Sequence, residues 1–173
     1  MTRLRFHALT LPVFAVLALG SLRAVLAQDE PNTDVDPTLL KNKFFVGMAV
    51  KLDAPPEALK EAKLNETMVR QTVERALKAQ NIKMVDVGND RQDMAMIVRM
   101  GMKAENGKVI GTCEINVIVV VEDAKTGAKK PRMAYDAFVT EEGRSARDVG
   151  GALFKTLNKS LATFGGTYKK HNP

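Results

Sequence analysis

The sequence predicts an α+β fold, a two-layer sandwich in which two helices cover one face of a mostly antiparallel sheet of about five strands. Three observations carry this prediction. Apolar residues recur at helical spacing in two separate segments, around 66–80 and 145–165. Between those segments lie long alternating runs rich in β-branched residues and punctuated by turn signals. The resulting order, β-α-β-β-β-β-α, allows both helices to lie on the same sheet face.

The elements follow in chain order. Residues 28–43 hold Asp29, Glu30, Pro31, Asn32, Asp34, Asp36 and Pro37, with little to bury, and read as a solvated linker. Phe44 to Val50 is the first strand, ended by Pro55-Pro56, and a connecting stretch with room for a helical turn leads to Asn65. Asn65 is a good N-cap for a helix from Glu66 to Gln80, whose stripe is Val69, Val73, Ala76 and Leu77. Ile82 to Val87 follows as a short strand, so the strand-helix-strand unit should set two parallel strands side by side. After a polar loop at 88–93 come three antiparallel strands: Met94–Lys103, Val109–Glu122 and Arg132–Thr140. Asn106-Gly107 between the first two is a strong hairpin signal. In the middle strand Cys113, Ile115, Val117, Val119 and Val121 share one face, with Glu114, Asn116 and Glu122 on the other.

The last helix opens on Ser145, with Asp148 three residues on as an acidic capping box. Val149, Leu153, Leu157, Leu161 and Phe164 form its stripe, and Gly165-Gly166 is expected to cap its end. Residues 44–165 therefore read as a single domain, followed by a C-terminal tail at 166–173. This part of the chain resembles a group of small secreted bacterial proteins without assigned function. In that group a Leu-x-x-Ala-Gly-Ile-like run precedes the meander and the C-terminus reads Phe-x-x-x-Tyr-x-x-x-Asn. Here Leu77, Ala79 and Ile82 match the first pattern, with Gln80-Asn81 in place of Ala-Gly, and Phe164, Tyr168 and Asn172 match the second. The resemblance implies the fold and implies no activity.

Residues 1–27 have the organisation of a cleavable secretory signal peptide. Arg3 and Arg5 begin it, Leu9 to Leu22 carry no charge, and Val25-Leu26-Ala27 places small residues at the cleavage site. Pro12, Gly20 and the shortness of the apolar stretch against the roughly 20 residues of a spanning helix argue against a stable membrane anchor. Arg23 sits close to the cut and leaves an uncleaved anchor as the alternative. With cleavage after Ala27 the protein is expected to be secreted or periplasmic. The leader holds three of the 26 basic residues and none of the 20 acidic ones, so the mature part carries 23 against 20. That balance is too even for the clustered basic surface a nucleic-acid binder needs. A single cysteine, Cys113, excludes an internal disulfide.

Candidate chemistry is sparse. The one histidine outside the leader, His171, lies near the C-terminus beside Lys169 and Lys170, poorly placed for a nucleophile-base pair. Asp86, Asp90, Asp93 and the pair Glu141-Glu142 fall in or near predicted turns, where solvated charge is the default. Gly150-Gly151 and Gly165-Gly166 lack phosphate-loop spacing. No catalytic residue and no cofactor is expected. The sharpest alternative is copper(I), which soft sulfur ligands select: Met94, Met96, Met100 and Met102 share one strand face, with Cys113 on the next strand. Val98 on the same face favours core packing, a common use of methionine. The function expected is an exported non-catalytic domain that binds a protein or cell-envelope partner. Copper(I) binding and a small periplasmic enzyme are the alternatives. An open sheet edge without a proline or lysine block would favour partner binding by strand addition.

Overall fold

The computed structural model describes residues 35–173. The leader, its cleavage after Ala27 and the linker up to residue 34 lie outside the described residues. The five strands are β1 (Phe45–Asp53), β2 (Lys83–Val85), β3 (Met94–Glu105), β4 (Lys108–Glu122) and β5 (Lys129–Gly143). The helices are α1 (Pro56–Glu61), α2 (Glu66–Lys78) and α3 (Ala146–His171).

Local chemistry sets most boundaries. The Asn65 side chain accepts from the Met68 N–H at 2.9 Å and starts α2. Ser145 accepts from the Asp148 N–H, which caps α3 as expected, and the Asp148 carboxylate turns back to accept from the Ser145 hydroxyl in place of its backbone N–H. Asn106 and Gly107 turn the β3–β4 hairpin with φ of 52° and 74°, the left-handed pair that a type I′ turn requires.

The sheet order is β2-β1-β3-β4-β5. β1 runs parallel to β2 as the crossover predicts, but it also runs parallel to β3, from Val46↔Met94 to Asp53↔Gly101. β3, β4 and β5 form the expected antiparallel meander. In the β4–β5 ladder the register steps from Val117↔Tyr135 to Ile118↔Met133, which leaves Ala134 as a bulge. One sheet face carries Val46, Met48, Val98, Ile115, Val117 and Val119 into a single core with Val69, Val73 and Leu77 of α2. α3 adds Val149, Leu153, Leu157, Leu161 and Phe164 to the same core, completing the two-layer sandwich.

Strands β1 and β5 run longer than expected, to Asp53 and over Lys129–Gly143, and β2 is shorter, at Lys83–Val85; two further boundaries differ in kind. Helix α3 does not stop at Gly165-Gly166; it continues to His171, so 166–173 is not a loose tail. The apolar stripe continues through Tyr168, which is buried, lies tilted against Phe164 with ring centroids 6.2 Å apart and donates its hydroxyl to Lys43 O at 2.6 Å. Gly165 serves packing: a Cβ there would sit 2.8 Å from the Gln80 amide nitrogen that lies across it. Residues 35–43 are likewise docked. Pro37–Leu40 form a 3-10 turn capped by Asp36, and Leu40 is fully buried. The Asn172 side chain closes this contact, donating to Leu40 O at 2.9 Å and accepting from the Asn42 N–H at 2.7 Å. The Phe164, Tyr168 and Asn172 pattern thus lies along one side of α3 at four-residue spacing, and its last two members hold the incoming chain.

Candidate interaction surface

The sulfur residues come together inside the core. Met94, Met96, Met100, Met102 and Cys113 are each at most 4 % exposed. Met100 lies directly opposite Cys113, and Met96 lies between Met48 of β1 and Val117 of β4. Burial, followed by the nearby Glu114 and Glu141 carboxylates, pushes the Cys113 thiol up to about 11. Arg99 and Lys103 on the other face point to water, where Arg99 pairs with Glu114 at 3.1 Å and Lys103 with Glu105 at 2.6 Å. The environment of these sulfurs is that of packing residues.

The carboxylates noted in the sequence are held apart. Asp93 accepts from the N–H groups of Phe44 and Phe45 at 3.0 and 3.1 Å, which pins the start of β1. Glu141 accepts from the Thr156 hydroxyl, tying β5 to α3, and Glu142 pairs with Lys108 at 3.1 Å on the opposite sheet face. His171 is the last residue of α3, in its basic final turn with Lys169 and Lys170. Among the described residues, no three His, Cys, Asp or Glu side chains gather to hold a metal ion. A cleft of about 440 Å³ lies between the C-terminal ends of α2 and α3, lined by Gln80, Asn81, Tyr168, Lys169 and Asn172.

The surface that stands out is the outer edge of the sheet. One edge is β2, only Lys83–Val85 long. The other is β5, paired on one side with β4. Near its start this edge is covered, because the Asp36 N–H donates to Met133 O at 2.9 Å. Hydrogen bonds from Thr38 to the Asp36 carboxylate fix that segment and hold the acid below its usual range. Pro131 and Lys129 also lie at this end of the strand, before Met133. From Ala134 to Gly143 the edge has no proline, no lysine and no neighbouring strand among the described residues.

Phe138 lies at the middle of this open stretch and is 62 % exposed. It faces away from the helices, flanked along its own row by Asp136 and Thr140 and placed opposite Glu114 of β4. A phenyl ring in that polar row packs on nothing apolar beside it in register. The sequence held the signal for Phe138, since a period of two puts it on the same face as Asp136, Thr140 and Glu142. That this face lies at an unpaired edge was not readable from the strand alone.

No protein-family model matches the chain, and no curated protein matches it. Among solved structures, it is similar to a hypothetical protein from Chlamydia trachomatis at 11% identity and a TM-score of 0.43, covering 73% of this chain and 98% of that one. It is similar to the PelC dodecamer from Paraburkholderia phytofirmans at 17% identity and a TM-score of 0.38, covering 71% and 88%. A third likeness is to a Xanthomonas campestris protein of the DUF330 family, at 12% identity and a TM-score of 0.38 over 82% and 93%. At this distance they bear on no property of this chain. No described helix is long and apolar enough to cross a membrane.

Proposed function

We propose that this is an exported, non-catalytic domain that binds a protein partner of the cell envelope by strand addition along β5. The observation that carries this reading is the edge from Ala134 to Gly143, which among the described residues has no neighbouring strand and lies beside an exposed aromatic ring. Strand addition draws affinity from main-chain hydrogen bonds and specificity from the side chains that alternate along the edge. Native edges are usually blunted by lysine, proline, bulges or a covering loop. Here Lys129, Pro131, the Ala134 bulge and the Asp36 contact all protect the first part of β5, and among the described residues nothing comparable protects the second part. Export rests on the leader sequence at 1–27.

The test is affinity capture from the native envelope with the wild-type mature chain, a Phe138→Lys variant and a Lys159→Ala control. Position 138 is exposed, so the lysine leaves the fold intact while placing a charge at the centre of the edge. A protein retained by wild type and control but lost with Phe138→Lys supports the edge. Equal retention by all three refutes it.

A further inference from the structure

We infer that the occupant of the β5 edge is a second copy of the same chain, paired antiparallel about a two-fold axis through Phe138; this rests on β5 being the contact surface. A strand edge related to itself by a two-fold axis perpendicular to the sheet pairs antiparallel and joins the two sheets into one, with both sets of helices on the same side. Such an interface is isologous and closed, so it consumes both open edges and generates no filament.

Three features of β5 fit its own copy. The open stretch is bounded by the Asp36 contact at Met133 and by the strand end at Gly143, so its middle falls at Phe138 and Val139. Pairing about Phe138 sets the two exposed rings opposite each other, and aromatic cross-strand pairs contribute roughly 0.2–1 kcal/mol. The charge pattern then selects the register. With the axis at Phe138, Asp136 lies opposite Thr140 of the other copy, Glu141 opposite Tyr135 and Glu142 opposite Ala134, so no acid faces an acid. An axis at Val139 would instead set Asp136 against Glu142, a like-charge pair that destabilises a ladder. An axis at Ala137 would bring Glu141 opposite Met133, whose carbonyl is already taken by Asp36, and would confine the pairing to residues 134–140, whereas the axis at Phe138 pairs 134–142.

The experiment combines sedimentation velocity with register-specific cross-linking of the mature chain. Wild type should sediment as a dimer at micromolar concentration, and Phe138→Lys as a folded monomer. Under mild oxidation Phe138→Cys should form a disulfide dimer at least tenfold faster than Thr140→Cys. Residue 138 faces its own copy at a Cβ separation of about 4.5–5.5 Å, whereas the two 140 positions are offset by four residues, about 13 Å along the strand. The native Cys113 is buried and does not compete. Equal cross-linking at 138 and 140 overturns the register and with it the inference. A monomeric wild type with no Phe138→Cys cross-link overturns the second copy as occupant. In that case an envelope protein still lost from Phe138→Lys keeps β5 as a docking edge for a foreign strand, and an unaffected capture removes both.

Discussion

The paired glycines of α3 offer a test of the packing in which two adjacent substitutions should act with opposite sign. Gly150 and Gly151 are neighbours in one helix, and replacing either by alanine gains about 1 kcal/mol of helix propensity. Their surroundings differ. A Cβ on Gly150 would stand 2.6 Å from the Ala62 Cβ, 2.8 Å from its carbonyl oxygen and 3.0 Å from its Cα. Two of those atoms are backbone, at the end of α1, and cannot move aside as a flexible side chain would. A Cβ on Gly151 would meet nothing within 4 Å. Overpacking of this kind costs about 1–3 kcal/mol. Because the propensity gain cancels between the two variants, their difference in stability is the packing penalty itself. Gly151→Ala should raise the urea midpoint of the mature chain, and Gly150→Ala should fall about 1–3 kcal/mol below it at unchanged m-value. Equal midpoints would mean that α1 does not rest on α3 at Ala62.

Three further outcomes follow from the core. Leu157→Ala should cost about 2–5 kcal/mol by denaturant titration, whereas Lys159→Ala on the wet side should be nearly neutral; equal effects would misplace the α3 stripe. The Cys113 thiol is raised from 9.0 to about 11 in the folded chain. The unfolded state therefore ionises first, and the stability contribution present below about pH 9 should decline as pH rises toward 11. The urea midpoint of Cys113→Ala should fall less steeply over that range than wild type; parallel slopes would contradict the buried thiol. Met96→Leu should stay within about 1.5 kcal/mol of wild type, since volume is nearly conserved. A copper(I) titration against a competing chelator should then show no binding in either protein, and tight binding lost in the variant would install the methionines as ligands.

Much of this molecule was legible in short-range pattern. Alternation placed Met94, Met96, Met100, Met102 and Cys113 on the covered face and Arg99 and Lys103 on the wet one. Asn65, Ser145 and Asn106-Gly107 marked the starts of two helices and the main hairpin because caps and tight turns are chosen by a few adjacent residues. Tertiary structure decided what depends on distant partners. Gly165-Gly166 has the chemistry of a helix stop, yet Tyr168 and Asn172 gain hydrogen bonds to Lys43, Leu40 and Asn42, and those contacts favour the continued helix. The polar composition of 35–43 reads as linker until Leu40 finds the core. The position of β1 between two parallel neighbours, and of β5 at an edge with ten of its fifteen residues lacking a neighbouring strand among the described residues, follows from which strands pair. A strand's periodicity fixes which side chains share a face, but pairing between remote segments decides whether its backbone has one partner or two.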